Sequence, residues 1–411
     1  MLGTLIPLFD ATMQVKAYSI FAQKKNLYLN PISIGTASLD GAGRVLGLDI
    51  VESMGMHVLA EDRMVFVELN HITIFADIDS MYTGPHEKLV LLFDPLVVPT
   101  EMYINRLREL KEKGYCLAIR KLPVMQFEEY RHILELVDYI LLDHKKIDMT
   151  RAKQYFVQLY PNAKLVAVNV NTKEEFDMLA AGGGYHYYEG DFFRIPANGA
   201  EAEVSPMKAT YVELLNVVND PDFQLEKAAD IIGRDTALVI SLLGMVNRMT
   251  VNSGISTVRH AAAMLGQREL KRWINAAVTK ELCSDKPSEI TRLSLLRARF
   301  AENLAPLFQV ANMSSELFLM GLLSVLDVIL DKSMEEALQM VMVSKPISDA
   351  LLHNTGKLVP VYNFMLSYEN ADWQEVSRQM IINEIPDDKV YDAYTEALVW
   401  YREMFFGDVK K

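Results

Sequence analysis

Two adjacent cations, Arg120 and Lys121, follow the β-rich run at residues 115–119, where the chain leaves a strand. Connections at strand ends are where α/β domains gather working side chains, and a cation pair there is suited to an anionic ligand. It is poorly suited to a divalent metal, which needs converging oxygen ligands. The acids Asp94, Asp138, Asp143 and Glu189 are scattered over the same runs and read as helix caps or ion-pair members. His260 and His353 are candidate metal ligands by type, but neither lies within a helical turn of another histidine, so surface or capping roles are expected. The sequence contains no His-Asp dipeptide, which would give a metal a compact N/O ligand pair. Cys116 and Cys283 are too few for a disulfide framework and read as small buried apolar groups in a reducing compartment.

These residues must be positioned by elements, and the pattern changes character midway. Up to about residue 195, β-rich runs at 64–68, 89–93, 115–119, 139–142 and 165–168 alternate with amphipathic stretches at 100–113, 127–136 and 172–181. Strand then helix at this interval is the pattern of a parallel α/β domain. Small and polar residues then follow Pro196, and beyond Pro206 only helical periods remain, at 207–218, 225–232, 236–249, 258–265 and 267–282. The expected organisation is an α/β domain over residues 1–196, a linker at 197–205 and an all-α domain over 206–411.

With 411 residues the chain is long enough for two cores, and half of its residues are hydrophobic, which leaves little room for extended disorder. A formal net charge of -13 opposes general affinity for nucleic-acid backbone or anionic membrane. The first ten residues lack a basic region followed by a long apolar one, so a secretory signal is not expected and the reading is cytoplasmic. The most apolar stretch, residues 317–330, contains Asp327 and is too short for a membrane span; a buried core helix is expected there.

The first half resembles an EAL domain, the TIM-like barrel that hydrolyses cyclic di-GMP. The residues that carry the resemblance are 106–115, 137–143 and the ending Gly184-Tyr185-His186-Tyr187-Tyr188-Glu189-Gly190-Asp191-Phe192-Phe193. The resemblance implies a barrel mouth built from Ser19, Glu68, Leu92, Arg120, Lys121, Asp143, Asn171 and Glu189. It puts Ser19 in place of the signature glutamate, Glu68 in place of an asparagine, Leu92 in place of a glutamate, and Arg120 and Lys121 in place of paired aspartates. Leu141 replaces a lysine, and Val168 and Asn171 replace late glutamates. Exchanging a carboxylate pair for two cations changes the local charge from about -2 to about +2, which repels a divalent ion.

The second half resembles an HDOD domain, related to HD phosphohydrolases. The match rests on residues 240–247, 255–266, 270–273, 318–327 and 368–373. Met245, Met249, Met264, Met320, Met340 and Met342, together with Trp273 and Trp373, read as core at helical spacing, with a partner-binding groove as the alternative.

Together these readings describe a bacterial signalling protein that works by protein–protein contact through the HDOD half, homodimerisation being open. They imply no cofactor, no metal, no catalysis and no cyclic di-GMP binding. One alternative is a non-hydrolysing receptor for cyclic di-GMP or another anionic nucleotide. The other is a residual phosphodiesterase.

Overall fold

A computed structural model describes residues 1–23, 43–196, 205–220, 222–249 and 255–406. The expected linker falls almost wholly outside the described residues. The chain forms two compact units, one of Met1–Ile195 with Leu366–Tyr391 and the other of Pro196–Met365 with Asp392–Lys411.

The first unit is a closed eight-stranded barrel with strands in sequence order: β1 Leu2–Phe9, β2 Val15–Gln23, β3 Met64–Glu68, β4 Leu89–Phe93, β5 Cys116–Arg120, β6 Tyr139–Asp143, β7 Lys164–Val168 and β8 Tyr187–Tyr188. Strands β2 to β8 are parallel, whereas β1 is antiparallel to both β2 and β8. The alternating pattern of a parallel domain does not predict this reversal. Its cause is local: Asp10 Oδ1 accepts hydrogen bonds from the Thr12 and Gln14 backbone N–H groups at 2.8 and 3.1 Å and from Thr12 Oγ1 at 2.6 Å. The turn thus held is far too short for the crossover that a parallel neighbour requires.

Inside the barrel, Ala17, Phe66, Leu92, Ala118, Leu141 and Val166 form a continuous buried core. Each fully buried Leu or Phe contributes about 1.5–3 kcal/mol by leaving water, so apolar packing holds the barrel closed. Because side chains alternate along a strand, the same inward face continues toward the carboxyl ends through Ser19, Glu68, Arg120 and Asp143. Around the barrel, Lys173–Gly182 starts in a capping box of Thr172 and Glu175, and Met149–Leu159 starts at Asp148, whose side chain accepts from the N–H groups of Thr150 and Arg151.

The barrel closes through a short seam, since Phe9↔Tyr188 is the one paired position of β1 with β8. Higher along that strand the hydroxyl of fully buried Tyr368 accepts from the Gly3 N–H at 3.1 Å and donates to the Gly3 carbonyl at 3.0 Å. It satisfies an edge that would otherwise carry buried, unmade hydrogen bonds. Arg194 adds an ion pair to Glu369 at 2.5 Å, and Gln23 donates to buried Ser377 at 3.3 Å. These contacts place Leu366–Tyr391 with the barrel, although the sequence pattern alone puts it with the helical domain.

The described residues of the second unit contain helices and no strand. Among these helices are Pro206–Asn219, Leu225–Ile232, Thr236–Met249, Val258–Leu282, Ser288–Leu304 and Ser314–Leu323. Within Val258–Leu282 the backbone breaks at Gly266, with φ 71° and ψ 169°, so the two helical periods of the sequence are two segments in space. Residues 317–330 are buried as expected but do not form one helix. Ser314–Leu323 ends where Ser324 Oγ donates to the Gly321 carbonyl at 2.7 Å and accepts from Arg297 Nη1 at 3.1 Å, and Leu326–Leu330 follows. Among the described residues no helix is long and apolar enough to cross a membrane.

Candidate functional site

The carboxyl ends of the strands bring together residues that are far apart in sequence. Glu68 and Arg120 end the inward faces of β3 and β5, the strands on either side of β4, and Arg120 Nη1 donates to Glu68 Oε1 at 2.7 Å. The Arg120 guanidinium lies 5.0 Å from the centroid of the Phe21 ring at the end of β2, within cation–π range. Glu189 follows β8 and joins the same electrostatic group. Burial pushes its carboxyl above the usual 4.5, Arg120 pulls it back, and repulsion from Glu68 pushes it further up. Among the described residues its carboxyl forms no hydrogen bond, so the ion-pair or capping role expected for Glu189 is replaced by one beside a shared cation.

A second group lies beyond β6 and β7. Asp143 Oδ2 accepts from Asn169 Nδ2 at 2.7 Å, and Asp143 also accepts from the Lys145 N–H at 3.1 Å. His144, largely buried, places Nδ1 3.0 Å from the Val168 carbonyl and Nε2 3.4 Å from Glu175 Oε1. Glu175 accepts the Asn171 N–H at 2.7 Å, the largest influence on its carboxyl, which this bond holds below the usual range against burial, with help from the contacts to His144 and the Thr172 N–H. His144, Asn169 and Glu175 escaped the sequence reading. The capping-box spacing of Thr172 and Glu175 was a usable signal for one of them.

The remaining positions separate. Ser19 is buried, and its Oγ has no hydrogen-bond partner among the described residues. Leu92 is part of the apolar barrel core. Lys121 is exposed with φ 57°, one residue past the inward-facing Arg120, so the two cations do not act as a unit. Asn171 serves the start of Lys173–Gly182. Asp94 accepts from the Leu96 N–H at 2.9 Å, and Asp138 accepts from Lys111 Nζ at 2.5 Å and from the Leu117 N–H at 2.9 Å, as structural acids should. His260 and His353 are exposed on helices. Trp273 and Met320 are core, while Met264 and Met342 are 49% and 66% exposed, which removes them from the predicted core; the Met249 side chain lies outside the described residues.

The donors at the mouth do not fit a pair of divalent ions. Among the described residues no three His, Cys, Asp or Glu groups are placed to share a metal, and the Glu68 carboxylate is engaged by Arg120. What these residues offer chemically is a guanidinium for a phosphodiester oxygen, an aromatic ring beside it, and a carboxyl, Glu189, that holds its proton to higher pH than usual.

The fold and this mouth define a two-domain protein, a closed α/β barrel with a polar mouth joined to a helical domain. Residues 204–346 match the model of the HDOD domain, so the helical unit contains an HDOD domain. The cyclic di-GMP phosphodiesterase CdgJ of Vibrio cholerae is 27% identical over 327 residues, covering 78% of this chain and 75% of the relative. The uncharacterized protein YuxH of Bacillus subtilis is 25% identical over 405 residues, 96% of each chain. Among solved structures, a standalone EAL protein from Vibrio cholerae O395 in its c-di-GMP-bound form is 16% identical, with 47% of this chain and 90% of that chain covered and a TM-score of 0.35.

Two expectations are corrected. The reading of a non-enzyme is overturned by CdgJ, a relative over three quarters of this chain that is named a phosphodiesterase. The same relative counters the reading that cyclic di-GMP is not a ligand. Both expectations rested on the replaced ligand positions, Ser19, Leu92, Arg120 and Lys121 among them, and on counting the last two as a charge reversal; in space Arg120 is compensated by Glu68 and accompanied by Glu189, while Lys121 is exposed past the strand end.

Proposed function

We propose that this protein acts in cyclic di-GMP signalling, with the barrel mouth receiving the nucleotide and the HDOD domain contacting a protein partner. The observation that carries the reading is Arg120, inward-facing at a strand end, over Phe21 and between Glu68 and Glu189. A phosphodiester oxygen exchanges for the Glu68 carboxylate on the guanidinium, and a guanine base has the Phe21 ring as a stacking surface. As a water oxygen bonds to phosphorus and releases its proton to solvent, Glu189 is the group able to pass a proton to the ester oxygen that leaves. The relation to CdgJ supports cyclic di-GMP as the ligand class and phosphodiester cleavage as the reaction class.

Calorimetry with cyclic di-GMP, run beside a turnover assay with and without divalent ions, tests the proposal. Arg120→Ala is expected to weaken binding roughly tenfold, and Glu68→Gln, which frees Arg120, to strengthen it. A wild-type protein that neither binds nor converts cyclic di-GMP at about millimolar concentration would sink the reading. The HDOD part is tested separately by recovering partners from native lysate with charge insertions on exposed helical faces between residues 236 and 330. Recovery unaffected by every such insertion would remove it.

A further inference from the structure

The helical unit contains a cavity of about 650 Å³ that has no part in the barrel chemistry. That volume lies in the range of about 300–1,000 Å³ typical of small-molecule sites. One turn of Val258–Leu282 sends Arg268, Lys271 and Arg272 to its wall. Their charges are only partly compensated. Glu302, 6% exposed, is shared by Arg268 at 3.7 Å, by Arg272 and by Arg299 at 2.7 Å; Arg272 also meets Glu269 at 2.5 Å, so Arg268 has only the most distant share of a carboxylate.

Lys271 has no carboxylate within ion-pair distance among the described residues. Its ammonium lies 4.7 Å from the centroid of the Phe223 ring and reaches the Asp220 carbonyl at 3.5 Å. Burial lowers its pKa, against a smaller opposing pull from the Asp220 carboxylate. The rest of the lining is mixed: Asn275 and Asn219 hydrogen-bond each other at 3.1 Å, while Phe318, Leu319 and Ile347 supply an apolar wall. Glu316 is a second acid in the lining beside Glu302, and the three cations Arg268, Lys271 and Arg272 outnumber the two; cations in excess on one side and an apolar surface on the other fit an anion attached to a hydrophobic body better than a bare ion.

We infer that this cavity binds a small organic phosphate of about mononucleotide size, its phosphate held by Arg268 and Lys271 and its body against Phe318 and Leu319. The site is independent of the barrel mouth. The test is calorimetry on the full chain with 5′-AMP as probe, and with adenosine and inorganic phosphate as single-feature arms. One AMP per chain should bind, roughly tenfold more weakly in Lys271→Gln and more weakly still in Arg268→Glu, a change at a side chain 71% exposed whose folding is checked by circular dichroism; Arg120→Ala should leave AMP binding unchanged. Both single-feature arms should bind less tightly than AMP. Absence of AMP binding, adenosine or inorganic phosphate binding as tightly as AMP, affinity unaltered in folded Arg268→Glu and Lys271→Gln, or loss of AMP binding in Arg120→Ala would each overturn the inference.

Discussion

Tyr368→Phe removes a single oxygen, and the structure says what that oxygen does. It bonds both the N–H and the carbonyl of Gly3 on β1, at 3.1 and 3.0 Å, in fully buried surroundings, on an edge that β8 meets at one position. Phenylalanine preserves the ring, including its edge contact with Trp373 at 5.3 Å, so apolar packing is conserved. What changes is that a buried donor and a buried acceptor lose their partner. At about 1–3 kcal/mol for each unsatisfied group, less some relaxation, the cost is about 2–4 kcal/mol. For a unit of this size that lowers the melting midpoint by at least about 4 °C. Calorimetric and urea unfolding should both register it, with Tyr391→Phe as the control. The Tyr391 hydroxyl meets Ser53 Oγ at 3.1 Å in an exposed setting, where loss should cost under about 0.5 kcal/mol. A Tyr368→Phe midpoint indistinguishable from that of Tyr391→Phe would refute the argument that residue 368 completes the barrel edge.

Glu189→Gln should change the pH profile of stability. A carboxyl whose folded pKa is raised disfavours the folded state once it ionises, so wild-type stability falls as pH climbs from the ordinary 4.5 through the raised folded value; the amide variant should lose that slope and be the more stable at pH above it, as read from unfolding midpoints across pH. Gly321→Ala should destabilise the helical unit by about 1–3 kcal/mol, because an added Cβ would overlap the Arg297 carbonyl and the Ala298 Cα of the facing helix, and backbone cannot rotate away; an unchanged urea midpoint would contradict it. Asp138→Asn should cost about 1–2 kcal/mol through its bonds to Lys111 and the Leu117 N–H, an effect that shrinks as salt is raised because the ion pair is partly exposed.

Much of this architecture is written locally. Strands β3 to β7 are runs of five residues rich in Val, Ile and Leu, and such runs have few other ways to bury both faces. Helices Leu225–Ile232 and Thr236–Met249 follow their apolar period, and the break at Gly266 lies between two periods visible in the sequence. The other strands carry weaker signals: β8 has two residues, and β1 contains Gly3 and Pro7, so closure of the barrel rather than composition makes them strands.

The site is the reverse case. Arg120 as a candidate ligand group was legible from its type and its place at a strand end. That it pairs with Glu68, fifty-two positions earlier, and biases Glu189 was not, because neither contact leaves a periodicity. The sequence by itself determined which residues stand on the inward face, since alternation along each strand is a property of the chain. Only the tertiary structure decided which of them meet, that Lys121 is exposed past the strand end, and that Tyr368 belongs with the barrel. Charge and hydrogen-bond partners are set by distances through space, and these exist only once the sheet has closed.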